Sequence, residues 1–350
     1  MVELLTKRGN MSSDKISQIK KELSLYFYIG QQLGRSGAST MAFDAKDKDG
    51  KRCVILIKAS DNNAESPDAY MDRQKEAEEK KDFFISGYNG DIFIPKAQVM
   101  DGYRIMPYAG EDLTEAVYCK LSQSQKLKIA KEFAEFLNFV HQKSFEKKAE
   151  LDKKISRTKI GEIDKIDERE PEHNPDFCLS KLLKLFQPHT SEKEYEHLEN
   201  LCNTYLNRDK TDEKTVITHG DLRYQNVLYN QETQKLAIID FELAKARSLY
   251  RDFCPTVFSK LPADFLKNVI YYYNEAPKKE PLYVNPEKIK LFWKINYLHE
   301  HLRCAKFDPS FPIEKRFEIF TSLEREIDTL SLVPDICPLL KSISRNNLER

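Results

Sequence analysis

The sequence predicts an α+β fold of two lobes: a five-stranded antiparallel sheet with one helix, followed by a larger, mainly helical C-terminal lobe. Three observations predict it. Short runs of β-branched and aromatic residues alternate with turn signals between residues 25 and 107. From residue 121 onward, apolar residues recur at the spacing of amphipathic helices. Among these helical stretches lies a polar loop at 219–226, flanked by short apolar runs that are typical of strands.

The first lobe is expected to cover residues 25–108, after a lysine-rich segment 1–24 that is either a tail or a helix. The turn signal at 47–50 predicts a hairpin between the second and third strands, and a glycine-containing turn is expected at 34–39. A helix is predicted from about residue 69 to residue 84. Strands are predicted at Tyr26–Leu33, Thr40–Ala45, Cys53–Lys58, Ile92–Pro95 and Gly102–Pro107.

The second lobe is expected to cover residues 109–350 and to contain an insertion at 144–215 before the polar loop. The first part of that insertion, 144–176, is densely charged and predicts a solvated loop or an exposed helix. Helices are predicted at Leu121–Gln142, Leu179–Phe186, Tyr195–Leu206, Phe265–Asn274, Pro286–Lys306 and Ile313–Leu330.

Composition argues against several classes of partner. The 56 basic and 56 acidic residues cancel, so no overall basic excess favours nucleic acid or an anionic membrane. Seven scattered cysteines without a CxxC pair favour reduced thiols in a cytosol-like compartment. Neither a signal peptide nor a transmembrane segment is recognisable, so a cytoplasmic location is expected, with export by a non-classical route left open.

The strongest chemical signal is the segment HGDLRYQN at 219–226 together with Asp240, which follows Asn226 by fourteen residues. Phosphoryl transfer to a hydroxyl needs a carboxylate near the acceptor, ligands for Mg²⁺ and a cation on the phosphates. Asp221 is suited to the first role, and Asn226 and Asp240 to the second. The short strands between the two motifs predict a hairpin that brings these three residues together.

The two motifs resemble those of the aminoglycoside phosphotransferase and choline kinase family, within the protein-kinase-like superfamily. That family's pattern is HGDLxxxN followed by Ile-Asp, then Phe or Trp, then Glu or Gly. The resemblance implies a kinase-like fold that uses ATP and Mg²⁺, with Asp221 orienting and deprotonating the acceptor and Asn226 and Asp240 holding the metal. It also implies that His219 is structural, beneath the metal turn, and that Asp252 braces the catalytic loop.

The first lobe offers candidate nucleotide-binding residues. Lys58, at the end of the third strand, can reach the phosphates, and its counter-ion is expected from the following helix, with Glu76 favoured and Glu79 left as an alternative. Main-chain N–H groups and hydroxyls of the glycine-containing turn can also contact phosphates. The turn contributes Gly34, Gly37, Ser39 and Thr40, and the segment expected to pass the adenine contributes Met106 and Tyr108.

The expected reaction is transfer of the γ-phosphate of ATP to a hydroxyl acceptor. Glycine in place of arginine after His219, together with the insertion, favours a small molecule or a lipid headgroup over a protein. A protein kinase, a pseudokinase or scaffold, and a nucleotidyl transferase remain alternatives. Glu242 is interpreted as either a metal or substrate contact or a turn residue. His141 and the other isolated histidines are interpreted as ordinary core or surface residues, and Tyr271–Tyr273 as a stripe of core and surface positions rather than an acceptor pocket.

Overall fold

The computed structural model describes residues 13–37, 40–58, 67–100, 103–146, 179, 183–184, 187–209, 213–241, 244–253, 261–307 and 313–329. The chain divides into two compact units. The first takes in residues 1–87, 91–112 and 226–244, and the second takes in 88–90, 113–225 and 245–350. The predicted lobe boundary at residue 108 stays a prediction.

The first unit is built on a five-stranded antiparallel sheet in the order β1-β2-β3-β5-β4, which confirms the predicted fold class. The strands are β1 Phe27–Gly37, β2 Thr40–Asp47, β3 Arg52–Lys58, β4 Gln98–Met100 and β5 Tyr103–Pro107. The hairpin predicted at 47–50 is present: the Asp47 carboxylate accepts the N–H groups of Asp49 and Lys51, and Gly50 has a φ of 80°.

Alternation along the strands separates two apolar clusters, one on each face of this sheet. Cys53, Ile55 and Ile57 of β3 belong to the cluster on one face. Leu23 of helix α1 (Ser13–Leu23) packs in the same cluster. The segment predicted as a tail or a helix is therefore helical in its described part and packs on the sheet. The opposite cluster contains Ala42, Val54 and Met106, with Leu33, Leu56, Ala97, Tyr108 and Ile239 packed against it.

Helix α2 (Pro67–Ile85) is tied to the sheet by an ion pair inside the first unit. Lys81 is buried, pairs with Glu78 and donates a hydrogen bond to the Pro95 carbonyl at 2.9 Å. Glu78 also accepts the Ala97 N–H at 3.2 Å. One carboxylate and one ammonium thus fix both the helix and the segment that leads into β4.

The strand predicted at Ile92–Pro95 is wrong. Phe93 makes only an isolated bridge to Ala237, and the fourth strand begins later, at Gln98. Proline has no N–H to donate to a ladder, and the Pro95 carbonyl is taken by Lys81. The segment's main-chain bonds run instead from Phe93 N–H to Leu236 O at 2.8 Å and from Ile238 N–H to Phe93 O at 3.1 Å.

A second sheet of the first unit, in the order β6-β8-β9, carries one of the two motifs. Its strands are β6 Glu111–Asp112, β8 Val227–Asn230 and β9 Lys235–Ile238. Gly110, just before β6, has a φ of 123°, and a Cβ there would lie 2.4 Å from the Tyr229 carbonyl oxygen. Only glycine allows the chain to pass so close to β8.

The second unit is mainly helical, as predicted, with one two-stranded sheet formed by β7 (Thr215–Thr218) and β10 (Lys245–Ser248). Residues 147–178 of the charged segment lie outside the described residues, and only 179, 183 and 184 are described in the helix predicted at 179–186. In the described part of the chain, no helix combines the length and apolar character needed to cross a membrane. The helices are α3 Glu115–Cys119, α4 Gln123–Glu146, α5 Glu192–Leu206, α6 Ala263–Glu275, α7 Pro286–Phe307 and α8 Ile313–Thr329.

We predict that Leu23→Ala lowers the free energy of unfolding by about 3 kcal/mol, because it opens a cavity beneath α1. Leu23 is only 2% exposed. Leu25→Ala is the matched control, since that side chain is 64% exposed and its loss should change stability by less than about 0.5 kcal/mol. Urea unfolding of both variants measures the difference, and equal effects would show that α1 does not pack as described.

Candidate active site

Strand β7 delivers the HGD segment from the core of the second unit. Val216, Ile217 and Thr218 are buried, and the Ile217 N–H donates to Ser144 Oγ of α4 at 2.6 Å. The chain then turns at Gly220, whose φ of 82° lies in the left-handed region that glycine adopts without strain. The glycine of the motif is therefore required by the backbone at this turn.

The Asp252 carboxylate holds this turn by its backbone. Its Oδ2 accepts the His219 N–H and its Oδ1 accepts the Gly220 N–H, both at 2.9 Å. At the next peptide group, between Gly220 and Asp221, Arg251 Nε donates to the Gly220 carbonyl at 3.3 Å. These bonds satisfy main-chain groups that the turn would otherwise leave unpaired. They fix the backbone immediately before Asp221.

His141 and Tyr273 support Asp252 from behind. His141 Nε2 lies 3.1 Å from Asp252 Oδ2, and its Nδ1 lies 2.9 Å from the Tyr273 hydroxyl. Because an ionised carboxylate only accepts, Nε2 carries a proton and donates the hydrogen bond to Asp252, while Nδ1 shares the second hydrogen bond with the Tyr273 hydroxyl. The sequence interpretation of His141 as an ordinary histidine missed this role. Its partners lie 111 and 132 residues away, so no motif could have indicated it.

The electrostatics of this network keep Asp252 ionised. Burial by itself would raise the pKa of Asp252, but the hydrogen bond and charge of His141, with His219 and the Gly220 N–H, hold it below the ordinary value. Burial raises the pKa of Tyr273, as does the nearby Asp252 charge, so its hydroxyl stays protonated. The backbone just before Asp221 is thus bonded to a fully buried anion.

The proposed acceptor-side residue, Asp221, is paired with an arginine of its own loop. Arg223 Nε lies 3.0 Å from Asp221 Oδ2, and the Asp221 side chain is 12% exposed. The Asp221 N–H donates to His219 Nδ1 at 3.3 Å. His219 is buried and contacts the loop from inside. Asp221 therefore reaches the surface on a backbone held at its two preceding residues.

Asn226 and Asp240 lie beside each other across the β8–β9 hairpin of the first unit. Asn226 immediately precedes β8 and is buried. Its main-chain carbonyl accepts the Ile239 N–H at 3.0 Å, which leaves the side-chain amide out of this bond. Asp240 follows β9 and is exposed, with a φ of 67° that non-glycine residues seldom adopt. An amide oxygen and a carboxylate are ligands that Mg²⁺ accepts. Glu242 lies outside the described residues.

The donor set at this hairpin suits Mg²⁺ better than a softer metal. Within the described ranges, no cluster of three or more histidine, cysteine, aspartate or glutamate side chains could hold a metal ion. A magnesium site does not need such a cluster, because Mg²⁺ keeps water and phosphate oxygens among its ligands. One protein carboxylate with one amide oxygen is compatible with that habit.

Two of the candidate nucleotide residues, Met106 and Tyr108, lie in the apolar cluster on one face of the main sheet. Val54 and Leu56 of β3 belong to the same cluster, as alternation along the strand predicts. Arg52 stacks its guanidinium 3.7 Å from the centre of the Tyr108 ring. Ser39 and the side chains of Lys58, Glu76 and Thr40 lie outside what the structure describes.

One expectation for this region changes, and another stays as predicted. The glycine-containing turn is shorter than predicted, because β1 continues through Gly37, and Gly34 and Gly37 are strand residues. The pairing of Ser36 with Met41 and of Gly37 with Thr40 carries the ladder past the glycines. On α2, Glu78 is engaged by Lys81 and the Ala97 N–H, so a counter-ion for Lys58 is left to Glu76 or Glu79.

We predict that Asp252→Asn removes a pH-dependent part of the stability. A depressed folded pKa stabilises the protein above the ordinary aspartate value, about 3.9, and that contribution disappears as the pH falls through the lower folded value. The gap in unfolding free energy between wild type and variant should therefore shrink from pH 5 downward in urea titrations. Asp264→Asn, at an exposed position of α6, is the control. A gap that stays constant into the acid range contradicts the assignment.

We also predict that Lys278 titrates near neutral pH. Its ammonium lies 4.4 Å from the centre of the Tyr273 ring, and burial lowers its pKa to about 8. The carbon-13 NMR signal of reductively methylated Lys278, identified with a Lys278→Arg variant, should shift with a midpoint near pH 8. A midpoint above pH 10, the ordinary lysine range, would contradict the described packing.

Comparison with known proteins agrees with this fold. The sequence profile of the choline/ethanolamine kinase family matches residues 111–344. The GDP complex of aminoglycoside 2'-phosphotransferase-IIIa superposes with a TM-score of 0.61 at 17% identity, covering 90% of this chain and 99% of the other. The streptomycin–ATP complex of APH(2")-IIa gives 0.56 at 18% identity, covering 91% and 98%. Amicoumacin kinase hAmiN, with AMP-PNP and Ca²⁺, gives 0.51 at 12% identity, covering 94% and 100%. No curated protein sequence matches the chain.

Proposed function

The chain belongs to the choline/ethanolamine kinase family, and on that premise we propose that it transfers the γ-phosphate of ATP to a hydroxyl group in a Mg²⁺-dependent reaction. As a member of this family it is a kinase that acts on a small hydroxyl-bearing acceptor. We propose that this acceptor is a free small molecule or a lipid headgroup. Similar structures hold ATP, GDP or AMP-PNP, which supports a nucleotide as the phosphate donor.

Asp221 is the residue we assign to the acceptor. Its carboxylate would accept a hydrogen bond from the acceptor hydroxyl and orient the oxygen toward the γ-phosphorus. As the new P–O bond forms and the bond to the leaving ADP oxygen breaks, the hydroxyl proton passes to Asp221. This role depends on position more than on intrinsic basicity.

The single observation that carries the proposal is the bracing of this loop by Asp252. Hydrogen bonds of 2.9 Å to the N–H groups of two successive residues, His219 and Gly220, fix the backbone next to Asp221. Positioning accounts for much of the catalysis in phosphoryl transfer, and an error of about 1 Å can cost about a hundredfold in rate. Burying an ionised carboxylate has a large desolvation free energy. Positioning of a kinase loop would explain why this one is present.

The remaining site residues are proposed in the roles that their positions allow. Asn226 and Asp240 would hold Mg²⁺, which would neutralise charge on the nucleotide phosphates. Lys58, paired with Glu76, would contact the phosphates as a point charge. The segment with Met106 and Tyr108 would lie beside the purine ring. The β1–β2 connection would cover the phosphates through Gly34, Gly37, Ser39 and Thr40. We further propose that residues 25–108 act as the nucleotide lobe and 109–350 as the acceptor lobe.

We predict that Asp221→Asn lowers kcat by about 10²–10⁴-fold, because it removes the proton acceptor while preserving the side-chain shape. Asp240→Asn should instead raise the Mg²⁺ concentration needed for half-maximal turnover. Asp91→Asn is the control, an aspartate 67% exposed whose ion pair with Lys235 is 3.9 Å long. Turnover is measured as ADP released with a responsive acceptor. Full activity of Asp221→Asn would refute the mechanism. Binding of ATP that does not need Mg²⁺, without any turnover, would favour a scaffold.

A further inference from the structure

Arg52, the first residue of β3, holds Tyr108 in two ways within the first unit. Its guanidinium carbon lies 3.7 Å from the centre of the Tyr108 ring, and its main-chain carbonyl accepts the Tyr108 N–H at 3.3 Å. The guanidinium is itself held by Asp44 of β2, because Nε donates to Oδ1 at 2.9 Å and Nη2 donates to Oδ2 at 3.4 Å. Asp44, Arg52 and Tyr108 therefore form one connected set of contacts.

The charges of this set favour the stack at every physiological pH. The hydrogen bond to Asp44 raises the pKa of Arg52 above its ordinary value, although burial acts against it, so the guanidinium stays charged. Burial raises the pKa of Tyr108, which keeps its ring neutral. A planar cation over the face of a tyrosine ring is attracted by the ring quadrupole.

The main-chain ladder is weak where Arg52 stacks. The register of β3 with β5 ends at Cys53 and Pro107, and proline has no N–H to donate to it. The next bond, from the Tyr108 N–H to the Arg52 carbonyl, is 3.3 Å long and exceeds the usual range of about 2.7–3.2 Å. Main-chain bonds alone therefore hold this end of β5 loosely, and the side-chain stack adds order there.

Directly after Tyr108 the chain leaves the five-stranded sheet. Ala109 is buried against Leu228 and Ala237 of the second sheet, and Gly110 passes close to the Tyr229 carbonyl. The segment 107–109 is thus held at its far end by the β8–β9 hairpin. At its near end the contacts with Arg52 hold it.

This segment includes Tyr108 and follows Met106, the two residues proposed to lie beside the purine ring. A binding surface that is only partly populated in its competent conformation binds with an affinity reduced by that fraction. A cation stacked on an aromatic ring at a partly exposed site can change such a population by about two- to fivefold. The stack is therefore strong enough to affect how tightly a nucleotide binds.

We propose that Arg52 is a positioning residue of the nucleotide site, and that its stack on Tyr108, held by Asp44, orders the segment 106–109 for the purine ring. This inference rests on the proposed kinase function and adds Arg52 and Asp44, which no sequence motif indicates, to the residues that serve it. Arg52 and Lys58 begin and end β3, about 20 Å apart along the strand. The role of Arg52 is therefore separate from that of a cation on the phosphates.

The test separates purine binding from phosphate binding. Mg²⁺–ATP, adenosine and inorganic tripolyphosphate are each bound to wild type and to Arg52→Gln, and their dissociation constants are measured by displacement of a fluorescent ATP analogue. We expect Arg52→Gln to weaken ATP and adenosine by the same factor, about two- to fivefold, and to leave tripolyphosphate unchanged. Lys96→Gln is the matched control, since Lys96 forms an exposed ion pair of 2.8 Å with Asp82 in the same unit.

Substitutions at Tyr108 test the stack from its other side. Tyr108→Phe keeps the ring face and should keep the ATP affinity within about twofold of wild type. Tyr108→Leu removes the ring, and in that background Arg52→Gln should weaken ATP binding no further, because the contact is already lost. Equal losses from Arg52→Gln in both backgrounds would show that the two side chains act separately, and would overturn the inference.

A stack that serves only stability gives a different result. Urea unfolding of Arg52→Gln would then show a loss of stability while the dissociation constants of ATP and adenosine stay unchanged, which overturns the inference. A loss confined to tripolyphosphate and ATP also overturns it, because Arg52 would then act on the phosphates through its charge. In turnover assays the KM for ATP should rise in Arg52→Gln while kcat remains within about twofold of wild type.

The proposed function fails in a different way. If ATP and adenosine bind with the expected dependence on Arg52, but neither choline nor ethanolamine gives Mg²⁺-dependent release of ADP, the positioning role stands and the proposed reaction is contradicted for both acceptors. If turnover is efficient and Arg52→Gln leaves the KM for ATP unchanged, the proposed function stands and the positioning role is wrong. A wild type that does not bind ATP overturns both.

Discussion

The Asp252 carboxylate is the interaction on which the second unit's catalytic loop depends. It is fully buried and ionised, and it accepts hydrogen bonds from two successive backbone N–H groups and from His141. A buried charge is tolerated only when hydrogen bonds replace its lost hydration. The proton on His141 Nε2 and the protonated Tyr273 hydroxyl both accompany this one ionised group, and the left-handed turn at Gly220 presents the two N–H groups that it accepts. Helices α4 and α6, which carry His141 and Tyr273, are thereby connected to the loop.

Local patterns in the sequence were enough to predict most of the fold. The three-strand meander, the Asp47 hairpin and the long helices depend on period and turn residues that short windows reveal. Phe93 shows where this fails: its apolar neighbours look like a strand, but its hydrogen bonds are made with Leu236 and Ile238, far along the chain. His141 and Tyr273 escaped notice for the same reason, because a buried polar network is defined by distant partners and leaves no local pattern.

The catalytic motif crosses a structural division that its sequence does not reveal. The chain passes from the second unit to the first between Gln225 and Asn226, so Asp221 belongs to one unit and Asn226 to the other. The four residues between them are a covalent tether of fixed length. Family membership establishes the class of reaction.

Asp240, proposed as a Mg²⁺ ligand, has a strained backbone conformation. Its φ of 67° places a side-chain-bearing residue where glycine would rest without strain, and L-residues pay about 1–2 kcal/mol there. A chain selected only for thermal robustness would be expected to carry glycine at the end of β9. If the carboxylate is needed for activity, stability and activity favour different residues at this position. Directed evolution for heat tolerance alone would then be expected to replace Asp240 early.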